Sequence, residues 1–172
     1  RIPPNDVEAE RAVLGALMID PLAIEKVVDT LSVEDMYARE HVTIYSAMVE
    51  LFEKRSPIDI VTVTSKLRER NELEAIGDAS YLATLVNSVG TAAHISHYAE
   101  QVRKKRILRD MISISHEINE MGYQEDDDVH KLLDNAEKRL FGISQRSLKQ
   151  KFVSVRTALT EAWERIDKLH RG

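Results

Sequence analysis

The sequence contains no cysteine, which excludes a disulfide framework, a thiolate nucleophile and a cysteine-ligated zinc site. Glycine and proline are scarce, at 6 and 4 residues, roughly half their usual combined share. Few backbone breakers argue against a turn-rich barrel or sandwich and in favour of long helices. No run of about 18 apolar residues occurs, which excludes a membrane-spanning helix. A glycine-rich phosphate cradle with a following lysine, a G-x-G-x-x-G turn and a G-x-S-x-G elbow are all missing. The serines lack convincing His and Asp partners, so the residues present compose no catalytic site.

What is there is ordinary for a soluble globular protein: 43% hydrophobic and 31% charged residues, which excludes global disorder. A length of 172 residues allows one domain with a core, or a small domain plus an appendage. The chain opens at Arg1 with neither a Met nor an apolar signal segment, so it is expected to begin inside a longer gene product. A net charge of −5 argues against a dedicated nucleic-acid-binding domain. The charge is uneven. Residues 1–98 carry 9 Lys and Arg against 16 Asp and Glu, a net −7; residues 99–172 carry 15 against 13, a net +2. The first part reads as an acidic globule, the second as long helices with wet faces.

The local pattern is helical throughout. Asn5 and Glu8 read as an N-cap and its capping-box partner ahead of the wide apolar face of Val13, Leu14, Leu17 and Met18. Asp20 and Pro21 read as the start of a second short helix through Ile24, Val27 and Leu31. Residues 32–36 look like a cap and turn, and 40–54 like a helix carrying Ile44, Tyr45, Met48 and Leu51. The β-branched run Ile58, Ile60, Val61 and Val63 might favour a strand on propensity. The Asp59 cap and the continuation through Leu67 to Arg70 favour helix. Residues 71–78 form a polar turn plugged by Leu73 and Ile76, followed by a short helix over 79–88. Thr91 then caps a long helix starting near Ala92 and ending at Gly122.

The second half carries three apolar seams. Ile107, Met111, Ile114, Ile118 and Met121 are spaced 4, 3, 4, 3, and so are Val129, Leu133, Ala136, Leu140 and Ile143. Two such seams joined by the short connection at 123–128 predict an antiparallel helical hairpin. Leu108, Ile112 and Leu132 widen the apolar surface beyond what two helices cover, which implies a third partner. Residues 144–154 read as a linker. Val155, Leu159, Ala162, Ile166 and Leu169 repeat the 4, 3, 4, 3 spacing on a final helix that needs something to dock on. The expected architecture is therefore all-α: a multi-helix globule over 1–98, a helical hairpin over 99–145 whose third partner is either the globule or another subunit, and a detached linker and docking helix over 146–172.

Three constellations have a chemical and a plain reading. The acidic run Asp126, Asp127 and Asp128 lacks the glycine and distal glutamate of a calcium loop, and suits a helix N-terminus. His94, His97 and Glu100 share a helical face at metal-ligand spacing, but no further ligand or general base stands near. No metal or cofactor is expected in this segment. Arg103, Lys104, Lys105, Arg106 and Arg109 form a basic patch able to meet phosphates or an acidic partner. Nearby acids (Asp110, Glu117, Glu120) and the lack of interleaved aromatics favour a solvated or partner-facing surface.

The opening residues carry a resemblance. Pro3 and Pro4, then Glu8, Ala9 and Glu10, then Ala12, Val13, Leu14 and Gly15 closely resemble the start of bacterial replicative DNA helicases of the DnaB type. Further matches follow in register: Asp35, Met36 and Tyr37; the run PIDIVTVT at 57–64; LEAIG at 73–77; ASYL at 79–82; NSV at 87–89; TAA at 91–93; and YAEQV at 98–102. Asp78 departs from the family, which usually has a second glycine after Gly77.

The resemblance implies the N-terminal domain, hairpin and linker helix of a homohexameric, ATP-hydrolysing helicase. In that family the hairpins pair to form a collar, primase docks on the collar, and helicase loading is influenced there. The linker helix packs on a neighbouring motor domain. The ATPase motor, with its ATP, Mg2+ and DNA contacts, is expected beyond Gly172. Cytoplasmic, nucleoid-associated function in a bacterium and no membrane partner are implied as well. The alternatives are a helical DNA-binding or scaffolding module using residues 103–109, and a metal-dependent enzyme at His94, His97 and Glu100.

Overall fold

The computed structural model describes residues 1–125 and 128–172. All regular structure among them is helical, in line with the expectation from the sparse Gly and Pro. The order is α1 (Val7–Ile19), α2 (Arg39–Glu53), α3 (Ile60–Glu69), α4 (Asp78–Asn87), α5 (Ile95–Tyr123) and α6 (Val129–Arg171). Short 3-10 turns at Ala23–Lys26, Val33–Asp35 and Glu74–Ile76 connect the early helices. No described helix is long and apolar enough to cross a membrane. The chain divides into two units, Arg1–Arg106 and Ile107–Gly172.

In the first unit, α1 packs on α4 and α2, α2 on α3, and α3 on α4. The core joins Val13, Leu14 and Leu17 of α1, Ile44 and Met48 of α2, Leu67 of α3, and Leu82 and Leu85 of α4. Each such side chain removed from water contributes about 1.5–3 kcal/mol. Ile95, Ala99 and Val102 of α5 belong to the same core, so this unit extends past the expected boundary at residue 98.

Local chemistry sets the helix ends. Asp6, not Asn5, caps α1: its carboxylate accepts from the Ala9 N–H at 3.0 Å, while the Asn5 amide turns back to the Pro3 carbonyl at 2.9 Å. Asp20 ends α1 rather than opening a second α-helix. Its Oδ1 accepts from the Leu22 N–H at 3.0 Å, and only a 3-10 turn over Ala23–Lys26 follows. The propensity conflict at 58–63 resolves as helix because Asp59 and Thr62 cap each other reciprocally, both bonds at 2.9 Å. Gly77 has φ +104° and Asp78 φ +63°, so the position where the family usually has a second glycine is indeed left-handed. Aspartate tolerates that region better than most side chains.

In the second unit, α5 and α6 run antiparallel. Asp110 of α5 pairs with Arg146 of α6, and Glu117 pairs with Arg139 at 2.6 Å. Seven residues forward along α5 thus correspond to seven backward along α6. Asp128 caps α6 by accepting from the Lys131 N–H at 3.1 Å; the calcium reading of the acidic run depends on Asp126 and Asp127, which lie outside the described residues.

Two expectations are corrected here. α5 continues through Gly122 to Tyr123. Residues 144–154 are not a linker but part of α6, so the docking helix is not detached. The sequence from Ile143 to Arg171 contains no Gly or Pro, and its Gln, Arg, Lys and Leu residues propagate a helix readily once the hairpin nucleates it.

Candidate interaction surfaces

The hairpin uses a seam rotated by one position from the expected one. Ile107 and Ile114 are partly buried, and Asp110 and Glu117 lie between and beyond them as ion-pair partners of α6. On α6 the inward side is made by Leu132, Ala136 and Ile143. The acids take positions that apolar residues would hold in an ordinary seam. Met111, Ile118, Val129, Leu133 and Leu140 are consequently left on the outside, Met111 at 51% and Leu140 at 55% exposure. Leu108, Ile112 and Phe141 are exposed too. Exposed apolar residues in this number on one hairpin make it a candidate interaction surface.

The final stripe is likewise open. Val155, Leu159, Ile166 and Leu169 are exposed and Ala162 is partly so. Sequence reasoning missed three aromatic or aliphatic neighbours on α6: Leu148, Phe152 and Trp163, the last 70% exposed. For Leu148 and Phe152 the signal was the same 4, 3 spacing, hidden by reading residues 144–154 as a linker; Trp163 lies beside that stripe, next to Ala162.

The basic patch is not one free surface. Arg103 is buried and donates to Glu100 at 3.0 Å, and Arg106 donates to the Glu34 carbonyl and lies 3.6 Å from Asp35. Lys104 is exposed, and Lys105 and Arg109 are partly buried. The bond to Arg103 also engages Glu100, and His97 packs edge-on against Tyr98, with ring centres 5.6 Å apart. Among the described residues no group of three metal-ligating side chains could hold an ion.

A buried polar cluster went unforeseen. Glu10, 1% exposed, accepts from the backbone N–H groups of Tyr37 at 2.8 Å and Ala38 at 3.2 Å. His41 places Nδ1 2.8 Å from Glu10 Oε1 and Nε2 2.5 Å from the Tyr81 hydroxyl. A carboxylate only accepts, so Nδ1 donates to Glu10, and in the neutral ring Nε2 accepts from Tyr81. Tyr81 also lines a shallow surface cleft with Glu8, Arg11, Thr84 and Ser88. Its hydroxyl, beside the Arg11 guanidinium, and then the charge of Glu8 raise the pKa of that guanidinium. Tyr45 donates to the Leu31 carbonyl at 2.8 Å, and burial pushes its phenol well above the usual value. On the surface, hydrogen bonds from Lys54 and then Arg70 hold the Glu50 carboxyl down at about 2. These groups support the fold; no substrate-sized site is built around them.

Known proteins agree with this architecture. The family model described as DnaB-like helicase N terminal domain matches residues 2–104. The chain is 40% identical over 170 residues to the replicative DNA helicase DnaC of Bacillus subtilis. It is 38% identical over 170 residues to the replicative DNA helicase DnaB of Geobacillus stearothermophilus. Both alignments cover 99% of this chain but only 37% of the relative. The crystal structure of the N-terminal domain of DnaB helicase from Mycobacterium tuberculosis superposes with a TM-score of 0.78 at 34% identity, covering 83% of this chain and 99% of that one. A DnaB-like replicative helicase, described with its interactions with primase, gives a TM-score of 0.69 at 25% identity, covering 82% of this chain and 31% of that one. With the family model spanning most of the first unit and the hairpin sharing the fold of solved relatives, the chain belongs to the DnaB-like helicase N-terminal domain family.

Proposed function

We propose that this chain is the collar and docking segment of a hexameric replicative DNA helicase. It assembles the ring and receives primase, while a motor domain elsewhere in the longer protein hydrolyses ATP with Mg2+ and moves along DNA. The observation that carries this reading is the outward apolar face of the hairpin, from Met111 and Ile118 to Leu133 and Leu140. A face of that kind is covered by a second hairpin in a self-associating module. The stripe from Val155 to Leu169 suits a helix that docks on a neighbouring subunit's motor domain. Primase is the proposed collar partner, in keeping with the relative described with primase; a helicase loader is proposed on the same collar. The setting is the bacterial cytoplasm at the nucleoid.

The test is sedimentation and light scattering of the 172-residue chain across a concentration series, with ATP hydrolysis measured in parallel. Self-association that Met111→Asp abolishes, with no hydrolysis proportional to protein, is the expected result. A strict monomer at high concentration, or genuine hydrolysis, overturns the reading. The DNA-binding alternative is disfavoured because Arg103 and Arg106 are engaged within the fold.

A further inference from the structure

The apolar stripe of α6 does not begin at Val155. With residues 144–154 helical, Phe152 stands three residues before Val155 and Leu148 four before that, so the 4, 3 alternation runs without interruption from Leu148 to Leu169. This is a continuous coiled-coil-type seam of about three heptads. In such a seam the residues on either side of the apolar core face the partner's rims and decide which partner is accepted.

Here the flanking positions are Lys149, Arg156, Trp163 and His170 on one side and Lys151, Ala158 and Arg165 on the other. Every fixed charge on the two flanks is positive. The acids of this stretch, Glu161, Glu164 and Asp167, all fall on the remaining face of the helix, where Asp167 pairs with Arg171 at 3.2 Å. The flanking lysines and arginines are exposed. In a parallel pair of two such helices Lys151 would face Arg156, in an antiparallel pair Lys151 would face Arg165, and in neither does a flank offer a carboxylate to compensate.

We propose that the Leu148 to Leu169 seam is built to reject a second copy of itself and to accept an apolar helix face rimmed on both sides by carboxylates. This deepens the docking reading given above and rests on it: it names the chemistry of the surface that receives the helix. The charge pattern selects the partner, and the apolar seam with Trp163 at its edge supplies the contact area. Ring assembly then draws this helix onto a neighbour's acidic-rimmed surface, while pairing of α6 with α6 is suppressed.

Trp163 is the single tryptophan of the chain and reports directly on this surface. The probes are two synthetic helical peptides of four heptads with Leu and Ile in the seam. One has Glu and the other Lys at every flanking position. The 172-residue chain is titrated with each, and Trp163 emission is followed. The Glu peptide is expected to bind at least about tenfold more tightly than the Lys peptide, with the difference shrinking as salt is raised. The variant K149E/K151E/R156E/R165E is expected to invert the preference, and its helicity is checked by circular dichroism. If that variant loses helix, the discrimination shown by the unaltered chain still decides. Equal affinity for the two peptides overturns the proposal. So does a concentration-dependent blue shift of Trp163 emission that Ile166→Asp removes, since that means α6 pairs with itself. If the peptides are not distinguished but Ile166→Asp still weakens the ring of the longer helicase, charge selection fails while the docking reading stands. If neither effect occurs, both fail.

Discussion

Glu10 and Gly15 hold α1 in place by opposite means. Glu10 is a buried carboxyl group satisfied by three converging donors, two backbone N–H groups and His41. Gly15 is a missing side chain: a Cβ there would fall well inside contact distance of the Leu85 carbonyl oxygen and Val89 Cγ2. The carbonyl is backbone and cannot rotate away. Gly15→Ala should therefore cost about 1–3 kcal/mol by forcing α1 and α4 apart, read as a lowered midpoint in thermal unfolding. An unchanged midpoint would mean the helices separate freely. Glu50 gives a pH prediction of definite sign. Its pKa is lowered from 4.5 to about 2, so its contribution is present above the unfolded value and is lost as pH falls from about 4.5 through about 2. Glu50→Gln should lower stability above pH 4.5 and flatten the acid limb over that window, so that the two proteins converge near pH 2. Urea titrations at stepped pH check this; an unaltered slope below pH 4.5 counts against it. None of the buried cluster could be read from the sequence. His41 stands alone in its local run, and its partners Glu10 and Tyr81 lie 31 and 40 residues away.

At the scale of the element, most helices were legible because their signals are local. Asp59 caps α3 in a reciprocal pair with Thr62, whereas the Thr91 hydroxyl accepts from the Ala93 N–H at 3.1 Å in a turn ahead of α5, which starts at Ile95 and not near Ala92. The misreadings are equally physical. Asp6 and Asn5 are both competent caps, and only the direction of the backbone decides between them. The seam of α5 could not be phased from spacing alone, since 107, 110, 114 and 117 repeat as regularly as 107, 111, 114 and 118. The ion pairs to Arg139 and Arg146 set the rotation. The continuity of α6 makes its own prediction. Lys149→Pro should cost about 3 kcal/mol of helix stability and cut the helix in two. Amide exchange should then lose protection around 145–149 but not at the start of α6. Unchanged protection there would mean the segment was never helical in solution.

For the whole molecule, the consequence of these two units is an inventory of unsatisfied apolar surface. The first unit closes its own core; the second does not. On the proposed docking role, Ile166→Asp in the proposed hexameric helicase should weaken ring cohesion, because a charge placed in an apolar docking face is left without a partner. Native mass measurement should find smaller assemblies at a protein concentration where the unaltered ring persists. An intact ring would exclude this face from assembly.

The sequence by itself determined that the chain is all-α, where most caps and turns lie, and which family it resembles. Those features depend on residues within a few positions of one another, or on order along the chain. Only the tertiary structure decided which residues pair across distance, which side of the α5 seam meets α6, and that α6 runs unbroken to Arg171. The reason is cooperative. A helix's rotation and length are fixed by what it packs against, and the energies that choose between two equally regular spacings arise only when the partner helix is present.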